Sequence, residues 1–411
     1  MRSRTRAWVT SLCAGTAAFH GACAAQLGAP AVPDEVPYFQ SNVAWVEDDR
    51  GAWFLADTGS PRTQIRPSVL GLADDAFVEA PPEGWSMSGL HDDGDATAFI
   101  VSDILPDRVR AAELYGDVSR VGGIVGADVL LREPITFDPQ LARLLVGPGE
   151  RDSLMYGVAA PSRVPMEVRG GGRTCLADAQ CFEFGPTRAL VGAAIDDVEG
   201  LALLDTAATY VRTTPTVFAR SSDAHDAPSF VLDTNDGKSV TMARVREMRV
   251  GSAVVRDIPV LIDPDIDVEL TRLQLETQRE VELILGHSFL RHFATHVDPR
   301  RGQLELFPYL DQSDAVVNLV SAGMGLSDGE ECFHVRALVR DGPAARVGIR
   351  LDDCITAVDG FSHGSVSAPT VDRHLYTLPA GSTAHVTLRR DSALPVELEV
   401  PIEDLFSEPA R

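Results

Sequence analysis

One unit is written twice in this chain, and that repeat constrains its fold more than any other feature. An apolar run, Trp53-Phe54-Leu55-Ala56, ends in Asp57-Thr58-Gly59-Ser60, and a second, Leu201-Ala202-Leu203-Leu204, ends in Asp205-Thr206-Ala207-Ala208. Farther along, Gly123-Ile124-Val125-Gly126-Ala127-Asp128-Val129-Leu130 corresponds to Leu283-Ile284-Leu285-Gly286-His287-Ser288-Phe289-Leu290. Thr136-Phe137-Asp138-Pro139 likewise corresponds to His296-Val297-Asp298-Pro299. The copies are offset by 148 residues at the first motif and by 160 at the other two, so the second copy holds 12 extra residues between them. Three matched motifs in one order mark a duplicated structural unit. Each copy also has an Asp-Gly pair between strand-like runs. Asp93-Gly94 lies between Trp85-Ser86-Met87 and Ala98-Phe99-Ile100-Val101, and Asp236-Gly237 between Phe230-Val231-Leu232 and Val240-Thr241-Met242. Such a pair favours a tight hairpin turn. The remainder reads as short β-rich runs broken by Gly, Pro, Asp and Asn, with no long amphipathic helix, so each copy is expected to be mostly β.

Charge narrows the function. Sixty acidic residues against 36 Lys and Arg, a net charge of −24, exclude a protein that holds nucleic acid through its phosphates, since that needs a basic footprint. The 411 residues suggest two to four domains, and no run reaches the roughly 18 apolar residues of a membrane-spanning helix.

The first 24 residues read as an address. Arg2, Arg4 and Arg6 precede an uncharged stretch from Ala7 to Phe19, followed by small residues at Gly21, Ala22, Cys23 and Ala24. This is the pattern of a secretory signal peptide. Ala22-Cys23-Ala24 fits cleavage before Ala25, while Gly21-Ala22-Cys23 resembles a lipobox with Cys23 as a lipid anchor, although His20 stands where Leu is usual. Either reading expects an exported chain: secreted, periplasmic or held at the cell envelope. Residues 25–35 then read as a linker. In an oxidising compartment an even number of cysteines suggests disulfides. Cys175 and Cys181 bracket a five-residue loop and are expected to be bridged. Cys332 and Cys354 each begin an apolar strand-like run and form a second candidate pair, though spacing alone leaves open whether those strands are neighbours.

Two similar β units that present Asp-Thr after an apolar strand can meet about a pseudo-twofold axis and bring Asp57 and Asp205 together. Two carboxylates at close range share one proton. The ionised member can take a proton from water and the protonated member can polarise a carbonyl, which is general acid–base hydrolysis with no cofactor. These residues resemble the aspartic proteases of the retropepsin and pepsin type. Asp57-Thr58-Gly59-Ser60 is that family's active-site motif, and Ile124-Val125-Gly126 and Ile284-Leu285-Gly286 look like its hydrophobic-hydrophobic-Gly motif. The resemblance spans about residues 36–310. It implies a bilobal fold of two retropepsin-like β-barrel lobes, residues 36–150 and 151–310. It also implies Asp57 and Asp205 as catalytic residues, supported by Thr58, Gly59 and Thr206, and a flap near residues 85–100 with Trp85 as a lid residue. The substrate class would be an extended peptide or an unfolded protein segment. Ala207 departs from the family, where Gly is usual, and puts the activity in question. The alternative is an inactive relative that binds peptides at the envelope, and a purely structural envelope protein is a third reading.

Residues 313–403 have a different texture and resemble a PDZ domain, a small α+β fold. Gly323-Met324-Gly325-Leu326 looks like its carboxylate-binding loop, and Gly342-Pro343-Ala344-Ala345 and Asp359-Gly360 match its helix and following strand turn. Leu351-Asp352-Asp353 departs from the usual Gly-Asp. The resemblance implies binding of a peptide C-terminus by strand addition. Docking against the lobes alone is the competing reading. Three other signals are set aside. Gly286-His287-Ser288 lacks the final Gly of a nucleophile elbow, with Leu290 in its place. His287, His292 and His296 read as packing or surface residues rather than metal ligands. Asp92-Asp93-Gly94-Asp95 lacks the spacing of a calcium loop.

Overall fold

The computed structural model describes residues 25–28, 45–47, 52–65, 100–101, 121–140, 143–146, 161–170, 172–175, 181–184, 186–309, 319–390 and 394–406. The expected signal peptide, the expected lipid-anchor residue Cys23 and residues 85–99 of the expected flap, with Trp85, lie outside the described residues.

The chain is mostly β, and the two copies fold alike where both are described. In the first, Trp53–Asp57 runs parallel to Val121–Gly126, with Ala56 opposite Val125, and Gln64–Ile65 lies antiparallel on the other side of that strand, with Gln64 opposite Ile124. In the second, Val198–Leu204 runs parallel to Leu283–Leu285, with Leu204 opposite Leu285, and Val211–Thr213 lies antiparallel, with Arg212 opposite Ile284. Each pairing repeats the other at the two offsets read from the sequence. The central strand of each copy is apolar because neighbours cover both its edges and both its faces are buried; Ile124, Val125, Ile284 and Leu285 are all within 1% of complete burial.

The copies join through an antiparallel sheet. Ile135–Asp138 pairs with Phe293–Asp298, and Thr136 lies directly opposite His296. These are the same position of the two copies, so the pseudo-twofold axis passes between them, where Thr136 Oγ1 meets His296 Nδ1 at 2.9 Å. The sheet is extended by Arg143–Val146 on one side and by Gln303–Pro308 and Ser162–Arg169 on the other. Ala25–Gly28 adds an outer strand to Arg143–Val146, so these first four residues of the expected linker are part of a sheet. One continuous apolar cluster, from Phe54 and Val125 to Leu285 and Phe289, fills both copies.

A helix, Ile266–Thr277, stands in the longer second copy, where the sequence suggested none. It buries a narrow stripe of Ile266, Leu270, Leu273 and Thr277 while Val268 and Leu275 stay exposed, and that spread of apolar residues blurs its period.

Residues 319–406 form a separate unit with its own apolar cluster, from Ala322 to Ile402. Met324–Asp328 and Phe333–Val339 form a hairpin; Cys354–Val358 and Thr383–Arg389 continue the sheet, and the helix Ala368–Thr377 lies against Met324–Asp328. Cys332 and Cys354 are disulfide-bonded, as their strands are neighbours. Cys175 and Cys181 are cross-strand partners in a two-stranded ribbon.

The unit does not hang free. Ser229–Thr234, one arm of the Asp236-Gly237 hairpin, pairs with Phe333–Val339 from Leu232 opposite Val339 to Thr234 opposite Ala337. Arg340 clamps Asp233 with Nε and Nη2 at 3.0 and 2.6 Å. Phe406 returns to the second lobe, where its ring packs tilted against Phe230, with centroids 5.2 Å apart, beneath Arg244. A sheet that crosses the junction in this way allows little hinge motion between the unit and the second lobe.

Candidate active site

Asp57 and Asp205 each stand at the end of a buried strand, where the chain must turn beneath the Gly of the facing motif. Gly126 and Gly286 permit that turn. A Cβ on Gly126 would lie 2.6 Å from the Arg62 carbonyl oxygen and 2.8 Å from the Thr63 nitrogen, and one on Gly286 would lie 2.7 Å from the Ala208 carbonyl oxygen. These distances are below any real Cβ contact, so the hydrophobic-hydrophobic-Gly pattern is a requirement of close backbone approach.

Each turn then offers two amides to its own carboxylate. Gly59 N and Ser60 N donate to Asp57 Oδ1 at 2.8 and 2.9 Å, and Ala207 N and Ala208 N donate to Asp205 Oδ1 at 2.9 Å each. The threonines lock the turns together across the axis. Thr58 N donates to Thr206 Oγ1 and Thr206 N to Thr58 Oγ1, both at 3.1 Å. Thr58 Oγ1 donates onward to the Leu204 carbonyl at 2.9 Å, and Thr206 Oγ1 to the Ala56 carbonyl at 2.8 Å. Both carboxylates are buried, at 0% and 3% exposure. Gly59 lies between them. It donates to Asp57, and a Cβ on it would overlap the Asp205 carboxylate. The residues singled out in the sequence, Asp57, Thr58, Gly59, Asp205 and Thr206, therefore converge at one place.

Ala207 occupies in the second copy the position that Gly59 holds in the first, so the two turns cannot be mirror equivalents at the carboxylates. Its backbone is unstrained, since it is not among the residues with positive φ. The methyl group therefore affects the space beside the pair and not the backbone.

Several site residues were not singled out as functional in the sequence. Arg188 opens the strand Arg188–Ile195, is 5% exposed, and places Nη1 2.6 Å from the Gly59 carbonyl oxygen. Its Nε and Nη2 hold Glu276 at 3.0 and 2.7 Å. Burial alone would raise the Glu276 carboxyl, but hydrogen bonds from Arg188 and Arg272 outweigh it and hold the group below its usual value. A charged residue at the head of the apolar run Ala189-Leu190-Val191 was the available signal, because a buried cation needs a partner.

His287, read as packing, is buried and donates from Nε2 to the Thr206 carbonyl at 2.7 Å; its Nδ1 has no partner among the described residues. Burial pushes its imidazole down to about 4, against the pull of the Thr206 carbonyl. At the next position, Asp128 in the first copy accepts from Thr63 N and Oγ1 at 2.8 and 2.9 Å, where the second copy has Ser288 accepting from Val211 N at 2.8 Å. Burial pushes the Asp128 carboxyl up to about 6, beyond the opposing effect of the Thr63 bonds.

In the C-terminal unit Gly323 takes φ of +71°, as a tight loop requires. The Leu326 amide of the expected carboxylate-binding loop already points at a carboxylate, since it donates to Asp372 Oδ1 and Oδ2 at 3.2 and 3.3 Å. Asp372, on the helix Ala368–Thr377, is 1% exposed, and burial pushes it up to about 7 despite the nearby Arg336. Met324 and Gly325 form the strand beside it.

No family model matches the chain, and no curated protein matches it. Among solved structures it is similar to the aspartic proteinase from Irpex lacteus, with 13% identity over 68% of this chain and 98% of that chain and a TM-score of 0.37, too low to establish fold or activity.

Proposed function

We propose that the chain is an exported aspartic endopeptidase in which Asp57 and Asp205 hydrolyse peptide bonds as a general acid–base pair. The observation that carries this reading is the reciprocal Thr58–Thr206 lock beneath two turns that each aim two amides at one buried carboxylate, with Gly59 in contact with both. Amides on Oδ1 of each residue orient the two carboxylates. The ionised member takes a proton from water as the oxygen adds to the peptide carbonyl carbon; the protonated member gives its proton to the carbonyl oxygen. Collapse of the resulting diol, with a proton passed to the amide nitrogen, breaks the C–N bond. No cofactor is required.

The test is cleavage of an unfolded protein by the mature chain from pH 3 to 8, with Asp57→Asn, Asp205→Asn and a statine-type inhibitor as controls. Loss of about 10²–10⁴-fold in each variant is expected. A folded wild-type protein with no cleavage at any pH overturns the reading and leaves the peptide-binding alternative.

Export is supported by the N-terminal pattern and by the Cys332–Cys354 disulfide, which suits an oxidising compartment. For residues 319–406 we infer a PDZ-like peptide-binding unit, supported by the hairpin of Met324–Asp328 and Phe333–Val339, whose first strand lies beside the helix Ala368–Thr377. A peptide carboxylate would have to displace Asp372 from the Leu326 amide. Peptides with a free C-terminus should then bind Asp372→Asn more tightly than wild type, and equal binding of amidated peptides would overturn it.

A further inference from the structure

The two carboxylates are held by matching amides, but the peptides that supply those amides are not backed alike. In the second copy the Thr206–Ala207 peptide, whose N–H donates to Asp205, accepts at its carbonyl from His287, a neutral imidazole above about pH 4. In the first copy the Gly59–Ser60 peptide, whose N–H donates to Asp57, accepts at its carbonyl from Arg188, a buried guanidinium. The carbonyl of Ala207, the counterpart of Gly59, receives no side-chain donor among the described residues. Hydrogen bonds in a chain polarise one another, and a cationic donor is roughly twice as strong as a neutral one. A polarised peptide makes a stronger N–H donor, and a stronger donor favours a charged carboxylate.

We propose that Arg188 is a positioning residue that makes Asp57 the anionic member of the pair and leaves the shared proton on Asp205. The inference rests on the acid–base reading above but concerns the roles of the two carboxylates, which that reading leaves equal. Arg188 acts through the Gly59–Ser60 peptide and need not touch substrate. Its charge is tempered by Glu276, which Arg272 also holds, at 2.7 Å. The other charged groups that face the two turns are Arg291 behind His287, and Arg62 and Arg132 beside Asp128.

The experiment is a carbon-13 NMR titration of the aspartate carboxyls in the full chain from pH 3 to 8, with Asp57 and Asp205 assigned through their Asn variants. In the wild type Asp57 ionises first. Arg188→Gln narrows the gap between the two midpoints by about one pH unit, a tenfold change in the preference. Arg188→Lys, which keeps the charge, restores part of it. Glu276→Gln, which removes the counter-charge, widens it, and a merely structural role predicts no such opposite sign. If Arg188→Gln does not fold, the Lys and Glu276 variants carry the test alone. A gap unchanged across the variants, or Asp205 ionising first in the wild type, overturns the inference. Peptide cleavage, measured in parallel, reports on the protease reading separately. An inactive wild type with the expected titration order sinks that reading and leaves Arg188 in its role.

Discussion

The two lobes share a plan and differ in detail at the one place where they meet. Thr58 and Thr206, Gly126 and Gly286, and the paired amides on Asp57 and Asp205 are equivalent in role and in distance. Gly59 against Ala207, Asp128 against Ser288, and Ala127 against His287 are not. The shared residues build the backbone turns; the unshared ones alter charge and space around the carboxylates. A duplicated scaffold is thus free to diverge where side chains face the site, as long as the Gly and Thr positions that allow close approach are kept.

The comparison is broken most directly by exchanging the small residues. Gly59→Ala puts a methyl group into the Asp205 carboxylate and should lower cleavage by about 10²-fold or more, since about 1.4 kcal/mol is tenfold. Ala207→Gly should leave the rate within about threefold, because the Ala207 backbone is unstrained. Equal effects of the two changes would mean that the turns are equivalent after all.

Next come the facing glycines. Gly126→Ala and Gly286→Ala each force a Cβ against backbone and should cost about 3 kcal/mol in chemical denaturation, alike in both lobes. A cost in one lobe alone would show that only that turn is tightly built.

The threonine lock should respond symmetrically and more mildly. Thr58→Val and Thr206→Val each leave buried partners unsatisfied and should cost about 1–3 kcal/mol, with a double variant that costs less than the sum because the two share their bonds.

The smallest effect separates the lobes by sign. Asp128 is raised to about 6 by burial, so its contribution is present below the unfolded carboxyl value and lost as pH rises through about 6. His287 is depressed to about 4 by burial, so its contribution is present above the unfolded imidazole value and lost as pH falls through about 4. Melting temperatures should show Asp128→Asn most destabilised, relative to wild type, near pH 4 and recovering towards pH 7. His287→Gln should instead gain on wild type as pH falls from about 6.5 to 4. Parallel curves for the two variants would remove the electrostatic difference between the lobes.

The C-terminal unit offers a different contrast. A strand and a short helix, Pro343–Arg346, were legible from Gly323 to Leu326 and from Gly342 to Ala345, but the longer helix Ala368–Thr377 and the unit's attachment were not. Ser229–Thr234 reads as an ordinary hairpin arm, and nothing local in it says that its free edge is covered by Phe333–Val339. Likewise nothing in the sequence singled out Asp372, and only the position of its helix against Met324–Asp328 brings it to the Leu326 amide.

What the sequence determined by itself was everything that depends on repetition and local chemistry. The duplicated Asp-Thr and Gly motifs place two strands, two turns and two carboxylates, because a strand that ends in a small-residue turn under a facing glycine has few other ways to fold. The two offsets recur in the strand pairing of both copies, whereas the meeting of Thr136 with His296 across the joining sheet came only with the tertiary structure. What only the tertiary structure decided was the surroundings of those carboxylates: Arg188 on the Gly59 carbonyl, His287 on that of Thr206, and Glu276 brought in on a helix whose period was blurred. The physical reason is range. Backbone turns follow from neighbours in the chain, whereas a buried charge is placed by partners that lie far away in sequence, 129 residues away for Arg188 and Gly59.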